Sequence, residues 1–213
     1  NLDDKVKTER WARWEHCSLC EQDYHGIVRC ALGWACWKTY VGRSETDWVR
    51  SMAMSQLGNG LSAAEQYEDA LSVREAELSM LRRLGASEDD LLIVQNNLAN
   101  MYQALGREQL AQRMRQEVYA GRLELLGAEH SQTISAACNY AYSLVRLDRY
   151  QEARSLLRKT LPVARRVLGA SHDHTLRLRL NYAHALYRDP GATLENIRAA
   201  GTMFEDIEGI VRR

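Results

Sequence analysis

The sequence contains few residues that interrupt helices or favour strands. Only two prolines, Pro162 and Pro190, occur among its 213 residues, and runs of β-branched residues are rare. Alanine, leucine, arginine and glutamate dominate instead. Because proline disrupts helices and these four residues favour them, the composition predicts an all-α protein.

An excess of one charge and a long apolar run are also missing. Twenty-eight basic side chains balance twenty-eight acidic ones, so the total charge does not favour nucleic acid as a partner. The apolar stretches fall well short of the roughly 20 residues that cross a bilayer, so no membrane partner is predicted. No signal peptide is visible and five cysteines are an odd number, which favours a reduced, cytoplasmic protein. Because the sequence opens on Asn rather than Met, we expect a fragment or a processed product.

What the sequence does contain is a repeat of 42 residues. Leu-Gly pairs recur at positions 84, 126 and 168, and the last two lie in the similar stretches LLGAEHSQT (125–133) and VLGASHDHT (167–175). Similar blocks read NLANMYQALGREQLA (97–111) and NYAYSLVRLDRYQEA (139–153), and QLGNGLSAAEQYEDA (56–70) is a divergent copy. A fixed period of this length is typical of stacked helical hairpins.

Each period is interpreted as two helices joined by a turn. Leu98, Ala99 and Tyr102 form one stripe of a first helix. Ala111, and Ala153 one period later, are small enough for the second helix to approach the first closely. Both are therefore predicted to be buried.

The His residues of the two similar stretches are predicted to lie at joints between repeats. Gly127 can adopt the backbone conformation that ends a helix, and Thr133 can accept hydrogen bonds from the free N–H groups of the next helix. His130 and His172 are therefore expected to hold an inter-repeat turn rather than to bind metal or transfer protons.

The pattern N-[LY]-A-x-x-[YL], a small alanine, L-G and H-x-x-T, repeated every 42 residues, resembles the tetratricopeptide repeats of kinesin light chains. The resemblance implies a right-handed α-solenoid of stacked antiparallel helix hairpins, with a concave groove that binds peptides. The predicted units are full repeats at 54–95, 96–137 and 138–179 and a partial or capping repeat at 180–213. A divergent helical hairpin is predicted at 1–53.

The N-terminal region permits two interpretations. Cys17, Cys20, His25 and Cys30 have the C-x2-C-x4-H-x4-C spacing of a zinc knuckle, which supplies four tetrahedral ligands. Alternatively, a shift by 43 residues aligns residues 24–47 with 67–90, which predicts a degenerate helical hairpin. In that hairpin Cys17 and Cys20 lie on a first helix, and a stripe of residues 34, 37 and 41 faces the core. The hairpin explains more residues, so no cofactor is expected.

All five tryptophans lie in the first 48 residues: Trp11, Trp14, Trp34, Trp37 and Trp48. They either fill a large core between the first hairpins or form an aromatic docking surface, since tryptophan is enriched at interface hot spots.

In the predicted groove, polar side chains of the first helices are candidates for contacts with a bound peptide. Amides can donate to and accept from a peptide backbone, or they can form structural bonds between helices. The candidates are Gln56, Asn59, Asn96, Asn97, Asn100, Asn139, Arg146, Arg177, Asn181, His184 and Arg188.

Charge is distributed unevenly along the repeats. Residues 54–95 hold three basic and eight acidic side chains, whereas residues 138–188 hold ten basic and three acidic ones. The basic segment is either a solvated face or a groove end that attracts an acidic peptide. Association of the oppositely charged ends of two copies is a third interpretation.

No phosphate-binding loop, nucleophile elbow or metalloprotease motif occurs, so no catalytic residue is predicted. The leading hypothesis is a non-enzymatic scaffold that binds a protein or peptide in the groove. The alternatives are a zinc-knuckle-assisted nucleic-acid or protein-binding module fused to the repeats, and a regulatory fragment of a larger enzyme.

Overall fold

A computed structural model of the chain describes residues 11–212, and this range is helical almost throughout. Its helices are α1 (Gly26–Tyr40), α2 (Trp48–Ala63), α3 (Tyr67–Arg83), α4 (Glu88–Ala104), α5 (Glu108–Leu126), α6 (Ser131–Arg146), α7 (Tyr150–Val167), α8 (Asp173–Tyr187) and α9 (Leu194–Val211). The β-structure described within residues 11–212 is one isolated bridge between His16 and Asp23. The predicted all-α fold class is confirmed.

The chain divides after Gly106 into two compact units. Unit 1 contains α1 to α4, and unit 2 contains α5 to α9. Within each unit, consecutive helices pack against each other as antiparallel neighbours, and in unit 2 α6 also contacts α8. The first helices of the pairs are α2, α4, α6 and α8. The predicted repeats begin inside these helices, at residues 54, 96, 138 and 180.

The joints between repeats contain the predicted His residues. His130 Nδ1 accepts from the backbone N–H of Gln132 at 3.3 Å and so caps the N-terminus of α6. His172 caps α8 in the same way: its Nδ1 accepts from the backbone N–H of His174 at 3.2 Å. Both therefore have a structural role, as predicted.

The threonine three residues after each cap has a different role from the one predicted. Thr133 does not accept from the helix N-terminus, because the preceding His already does. It is buried, and its hydroxyl donates to the carbonyl of Arg122 at 3.1 Å, which ties α6 to α5. Thr175 contacts the carbonyl of Ala164 at 3.4 Å in the same arrangement.

Small residues lie where the helices of unit 2 approach each other, as predicted. Ala111 and Ala153 are both fully buried. Ala153 belongs to a continuous apolar core that includes Ile134, Leu144, Leu157 and Leu178. Burial of these aliphatic side chains is the main contribution to the stability of unit 2.

In unit 1, α1 and α2 pack through glycines rather than through large side chains. A Cβ on Gly33 would lie 2.8 Å from the carbonyl oxygen of Gln56, and one on Gly60 would lie 2.7 Å from that of Arg29. The two backbones are therefore in direct contact, and the buried face of α1 is Cys30, Gly33 and Cys36.

The predicted core stripe on α1 is therefore wrong. Trp34 and Val41 are exposed and Trp37 is only half-buried. A stripe of large residues would hold the two helices apart, whereas the face with small residues allows the close contact. The core face of α1 thus contains its smallest side chains.

The predicted first helix of the N-terminal hairpin does not reach the cysteines. Residues 11 and 12 are helical, but Cys17 and Cys20 lie in a turn. Glu21 adopts a φ of 57°, and the N–H of Cys17 donates to the carbonyl of Gln22 at 2.9 Å. The left-handed backbone of Glu21 and the bond between Cys17 and Gln22 form a tight turn where the first helix of the hairpin was predicted. The second helix of the hairpin is present as α1.

Candidate partner-binding faces

Equivalent positions on successive first helices carry different side chains in the two units. Met52 on α2 and Ile93 on α4 are exposed apolar residues of unit 1. One and two periods after Ile93, the same position holds Ser135 on α6 and the exposed Arg177 on α8. The exposed apolar residues of unit 1 and the exposed Arg177 of unit 2 therefore occupy equivalent positions in the repeat.

Unit 1 contains a cavity of about 380 Å³ between α2, α3 and α4. Its apolar rim is formed by four exposed side chains: Trp48, Met52, Leu84 and Ile93. Trp48 is 53% exposed and Ile93 is 44% exposed. We call this site the unit 1 cavity. Exposed apolar side chains that converge on a concave site are typical of a binding site.

The wall of the unit 1 cavity includes Glu77, which belongs to a buried ion pair. Glu77, only 1% exposed, lies 2.6 Å from Arg74 and accepts a hydrogen bond from Ser55. Arg74 also donates to Asn59 on α2 and to the carbonyl of Ser55. The hydrogen bonds of this pair connect α3 to α2 beside the cavity. Because the two charges neutralise each other, the pair adds no net charge to the cavity.

Acidic side chains surround the unit 1 cavity, and several of them are already paired. Glu45 lies 2.7 Å from Arg83, whose hydrogen bond lowers the pKa of that carboxyl group. Asp47 caps α2, and a hydrogen bond from the N–H of Val49 lowers its pKa. These groups therefore stabilise the loop before α2.

Two of the predicted contact amides point into the protein. Gln56 is buried and donates to Glu15. Asn181 is buried, and its Nδ2 donates to the carbonyl of Cys138 at 3.3 Å, a bond between α8 and α6. These two amides, together with Asn59, act as structural bonds.

The other predicted amides lie at or near the surface of the first helices. Asn96, Asn97 and Asn139 are half-buried, and Asn100 is exposed. Asn96, Asn97 and Asn100 belong to unit 1, and Asn139 belongs to unit 2.

The first helices of unit 2, α6 and α8, include or end at five of the predicted contact residues, which we call the unit 2 face: Asn139, Arg146, Arg177, His184 and Arg188. Arg146 donates to Glu108 at 2.7 Å and Arg177 lies 3.8 Å from Asp173, so both charges are partly neutralised. Burial, followed by the nearby charge of Arg188, lowers the pKa of His184. Arg177 lies farther from its acidic partner than Arg146 does, and both Arg177 and Arg188 are exposed, so these two residues give the face most of its basic character.

Many other basic side chains of residues 138–188 are also paired within unit 2. The pairs are Arg149 with Glu152, Arg154 with Asp189, Arg166 with Glu129 and Arg179 with Asp206. Several of these acidic partners lie outside residues 138–188. The positive net charge counted over residues 138–188 is therefore larger than the net charge of the surface that these residues form with their partners.

The tryptophans are distributed between packing and surface. The Trp11 ring lies 6.0 Å from Tyr40 and 6.2 Å from Trp48, and Trp14 lies 6.5 Å from Tyr40. Trp11 and Trp14 are half-buried, whereas Trp34 and Trp48 are exposed. Trp48 thus joins an aromatic cluster to the unit 1 cavity.

The zinc-knuckle residues are not grouped as ligands in this structure. Within residues 11–212, no cluster of three or more His, Cys, Asp or Glu side chains has a geometry that could hold a metal. Cys20 is exposed, whereas Cys30 is buried in α1 with its sulfur 3.6 Å from the side-chain oxygen of Gln66. Cys30 lies on the face of α1 that contacts α2.

Sequence reasoning missed the rim of the unit 1 cavity. In the sequence, Trp48 is one of five tryptophans and Leu84 belongs to a Leu-Gly pair, but neither is predicted to line a binding site, and no pattern marks Met52 or Ile93. The 41-residue spacing of Met52 and Ile93 was the available signal, because it places two apolar residues at equivalent exposed positions.

Comparison with known proteins gives the family. The tetratricopeptide repeat model matches residues 90–164 and 132–191, which include α5 to α8. Residues 90–191 belong to the tetratricopeptide repeat family, as predicted. A search of the curated proteins found no match.

Solved structures share the fold. The Podosopora anserina putative kinesin light chain, described by its nearly identical TPR-like repeats, has a TM-score of 0.66 at 23% identity over 86% of this chain and 83% of that chain. BtubC (BKLC) from P. vanneervenii has a TM-score of 0.70 at 17% identity over 86% and 72%. Bacillus thuringiensis PlcR, crystallised with the peptide PapR7 and DNA, has a TM-score of 0.60 at 14% identity over 99% and 72%. These likenesses concern the fold alone.

Among residues 11–212, each helix is too short or too polar to pass through a bilayer.

Proposed function

We propose that the chain is a non-catalytic binding module that holds a segment of a partner protein on its first-helix faces. The unit 1 cavity is the primary site and takes an apolar side chain of the partner. The observation that carries the proposal is the convergence of Trp48, Met52 and Ile93 on this cavity while all three side chains remain exposed.

The cavity suits one apolar anchor better than a charged group. Its rim is apolar, and the Glu77 carboxylate in its wall is neutralised by Arg74. A bound leucine- or phenylalanine-sized side chain would remove its own surface and the rim from water, which contributes about 1.5–3 kcal/mol. That free energy corresponds to about 10- to 150-fold in affinity.

The unit 2 face supports a second, electrostatic contribution. Arg146, Arg177 and Arg188 lie on its surface, and Asp173, the ion-pair partner of Arg177, is exposed, whereas Glu108, the partner of Arg146, is half-buried. An exposed pair exchanges partners at little cost, so an acidic group of the partner can replace Asp173. The partner proposed for this face is therefore an acidic segment.

The first experiment selects binders from a random library of peptides about 12 residues long and measures their affinity by fluorescence anisotropy. Met52→Glu combined with Ile93→Glu places charges on the cavity rim and should weaken binding by at least about tenfold. The selected peptides should share one large apolar residue.

A matched control uses apolar residues of similar exposure on second helices. Leu110→Glu combined with Val167→Glu changes α5 and α7 and should leave the affinity within about twofold. Equal losses in both double variants, or selected peptides without a common apolar residue, would remove the cavity as the site.

The second experiment tests the unit 2 face with acidic peptides from the same library. Arg146→Glu combined with Arg188→Glu should slow association, and the effect should be largest at low salt, where charges are least screened. Arg158→Glu combined with Arg165→Glu on α7 matches the change in charge away from the face. If the two double variants slowed association equally, the association rate would depend on the net charge of the protein rather than on the unit 2 face.

A further inference from the structure

The five cysteines fall into two groups that differ in access to solvent. Cys36 and Cys138 are fully buried, and burial raises the pKa of their thiols to about 12 and about 11. Cys30 is also buried, on the face of α1 that contacts α2. Cys17 and Cys20 lie in the turn before α1, where Cys17 is half-buried and Cys20 is exposed. Only the accessible pair can meet a reagent in solution without unfolding.

The turn places these two cysteines side by side. The N–H of Glu21 donates to the carbonyl of Cys17 at 2.8 Å, which closes one helical turn around residues 17–21. Side chains three residues apart on such a turn lie on the same side, with Cβ atoms roughly 5–6 Å apart. A disulfide requires Cβ atoms about 3.5–4.5 Å apart, so a small closure of the turn is enough to join the sulfurs.

Bonds on both sides hold this turn in place. The N–H of Cys17 donates to the carbonyl of Gln22 at 2.9 Å, and the N–H of Tyr24 donates to that of Glu15 at 2.9 Å. The side chains of His16 and Asp23 meet at 2.5 Å, and this hydrogen bond lowers the pKa of Asp23. The turn is therefore a closed loop whose ends are fixed without the cysteine side chains.

The surroundings favour Cys17 as the attacking sulfur. Hydrogen bonds from the backbone N–H of Leu19, then from that of Cys20, lower the pKa of Cys17, and the Cys20 side chain contacts it. An open cavity of about 510 Å³ lies beside Cys17, and its charged lining residues are Arg13, Glu21 and Asp23. A small disulfide therefore has an approach path to Cys17.

We propose that Cys17 and Cys20 form a thiol–disulfide exchange site that takes a low-molecular-weight disulfide. The Cys17 thiolate attacks one sulfur of the disulfide RS–SR, the S–S bond breaks, and one RS⁻ leaves and is protonated. The Cys20 thiolate then attacks the Cys17 sulfur of the mixed disulfide, which forms Cys17–Cys20 and releases the second RS⁻. The balance is two protein thiols and RSSR giving one internal disulfide and two RSH.

The test treats the full chain with oxidised glutathione, alkylates the remaining thiols and locates each modification by mass spectrometry. Wild type should form an internal Cys17–Cys20 disulfide without retained glutathione, at least about tenfold faster than Cys36 or Cys138 reacts. Cys20→Ser should retain glutathione on Cys17. Cys17→Ser should react at Cys20 several-fold more slowly than Cys20→Ser reacts at Cys17.

Three results would overturn the proposal. They are glutathione retained on both cysteines of wild type, disulfides between chains, and equal reaction rates of the two single variants. A chelator should leave every rate unchanged, and a rate that rises with chelator would mean that the pair holds a metal instead. Tryptophan fluorescence of both variants should match wild type, which shows that the turn substitutions preserve the fold of unit 1.

Discussion

Both units consist of consecutive antiparallel helices, but they differ in composition and in the way their helices pack. Unit 1 contains 11 basic and 16 acidic side chains and all five tryptophans, whereas unit 2 contains 17 basic and 12 acidic ones. Unit 1 brings α1 and α2 together through Gly33 and Gly60, whereas unit 2 packs a continuous aliphatic core. The repeat therefore determines the order and spacing of the helices, whereas different residue types make the helix contacts in the two units.

This difference leaves different residues for the surface. Because glycines and small residues make the α1–α2 contact, large apolar side chains of unit 1 such as Trp34 and Trp48 remain exposed. Unit 2 also exposes aliphatic side chains such as Leu110 and Val167, but its first-helix surface has the exposed basic residues Arg146, Arg177 and Arg188 instead of a tryptophan. Two thiols without solvent exposure, Cys36 in unit 1 and Cys138 in unit 2, can report the unfolding of each unit separately through their labelling rates.

The largest effect is expected from breaking the buried ion pair of unit 1. Glu77→Ala leaves the Arg74 charge buried without its partner, which should cost about 3–5 kcal/mol in the free energy of unfolding. The urea midpoint for Cys36 labelling measures this loss.

The paired change Arg74→Met with Glu77→Leu is the control, because it removes both charges and keeps similar volumes. Its stability should stay close to wild type. A single Glu77→Ala variant as stable as wild type would show that the pair does not contribute to unit 1.

A smaller loss is expected from overfilling unit 2. Ala153→Leu adds three carbons to a fully buried position and should cost about 1–3 kcal/mol. The midpoint for Cys138 labelling should fall, while Ala120→Leu, at an exposed position on α5, should leave it unchanged. No difference between the two variants would contradict the assigned packing of α7.

A pH-dependent effect, smaller again, should be confined to unit 2. Burial lowers the pKa of His174 and of His184 below the ordinary value of about 6.5. The unfolded chain therefore binds protons first as the pH falls, so this stability is present above pH about 6.5 and is lost as the pH falls toward the lowered pKa values. The Cys138 midpoint should drop between about pH 7.5 and about pH 5.5.

Combined replacement His174→Gln and His184→Gln should reduce that pH-dependent drop. The other titrating groups are unchanged in this double variant, so the difference between the two proteins isolates the histidines. A drop of equal size in both proteins would assign the pH dependence to other groups.

No effect is expected from metal removal. Purified protein should carry well under one zinc per chain, and a chelator should leave the Cys36 midpoint unchanged. Stoichiometric zinc together with a lower midpoint in chelator would support the zinc-knuckle interpretation of Cys17, Cys20, His25 and Cys30.

The features that repeat could be predicted from the sequence. The 42-residue period predicts the helix pairs, and Ala111 and Ala153 mark close contacts because the same small residue recurs at the same place. The joints at His130 and His172 follow from the same repetition.

The features that do not repeat could not be predicted in the same way. Which face of α1 is buried depends on backbone contact with α2 at Gly33 and Gly60, and periodicity alone favoured the larger residues. The turn at Cys17 depends on the left-handed backbone at Glu21. The unit 1 cavity is lined by residues of three helices and a loop. A sequence pattern identifies only the residues that share one face of a single helix, so it does not reveal the cavity.

The fluorescence of Trp48 tests the central claim that the unit 1 cavity binds the partner. Trp48 is exposed on the rim, so a peptide that fills the cavity should shift its emission to shorter wavelength as water is excluded. The shift should saturate at the dissociation constant measured by anisotropy and should disappear in Trp48→Phe. Binding without a shift in wild type, or a shift that persists in Trp48→Phe, would contradict the claim.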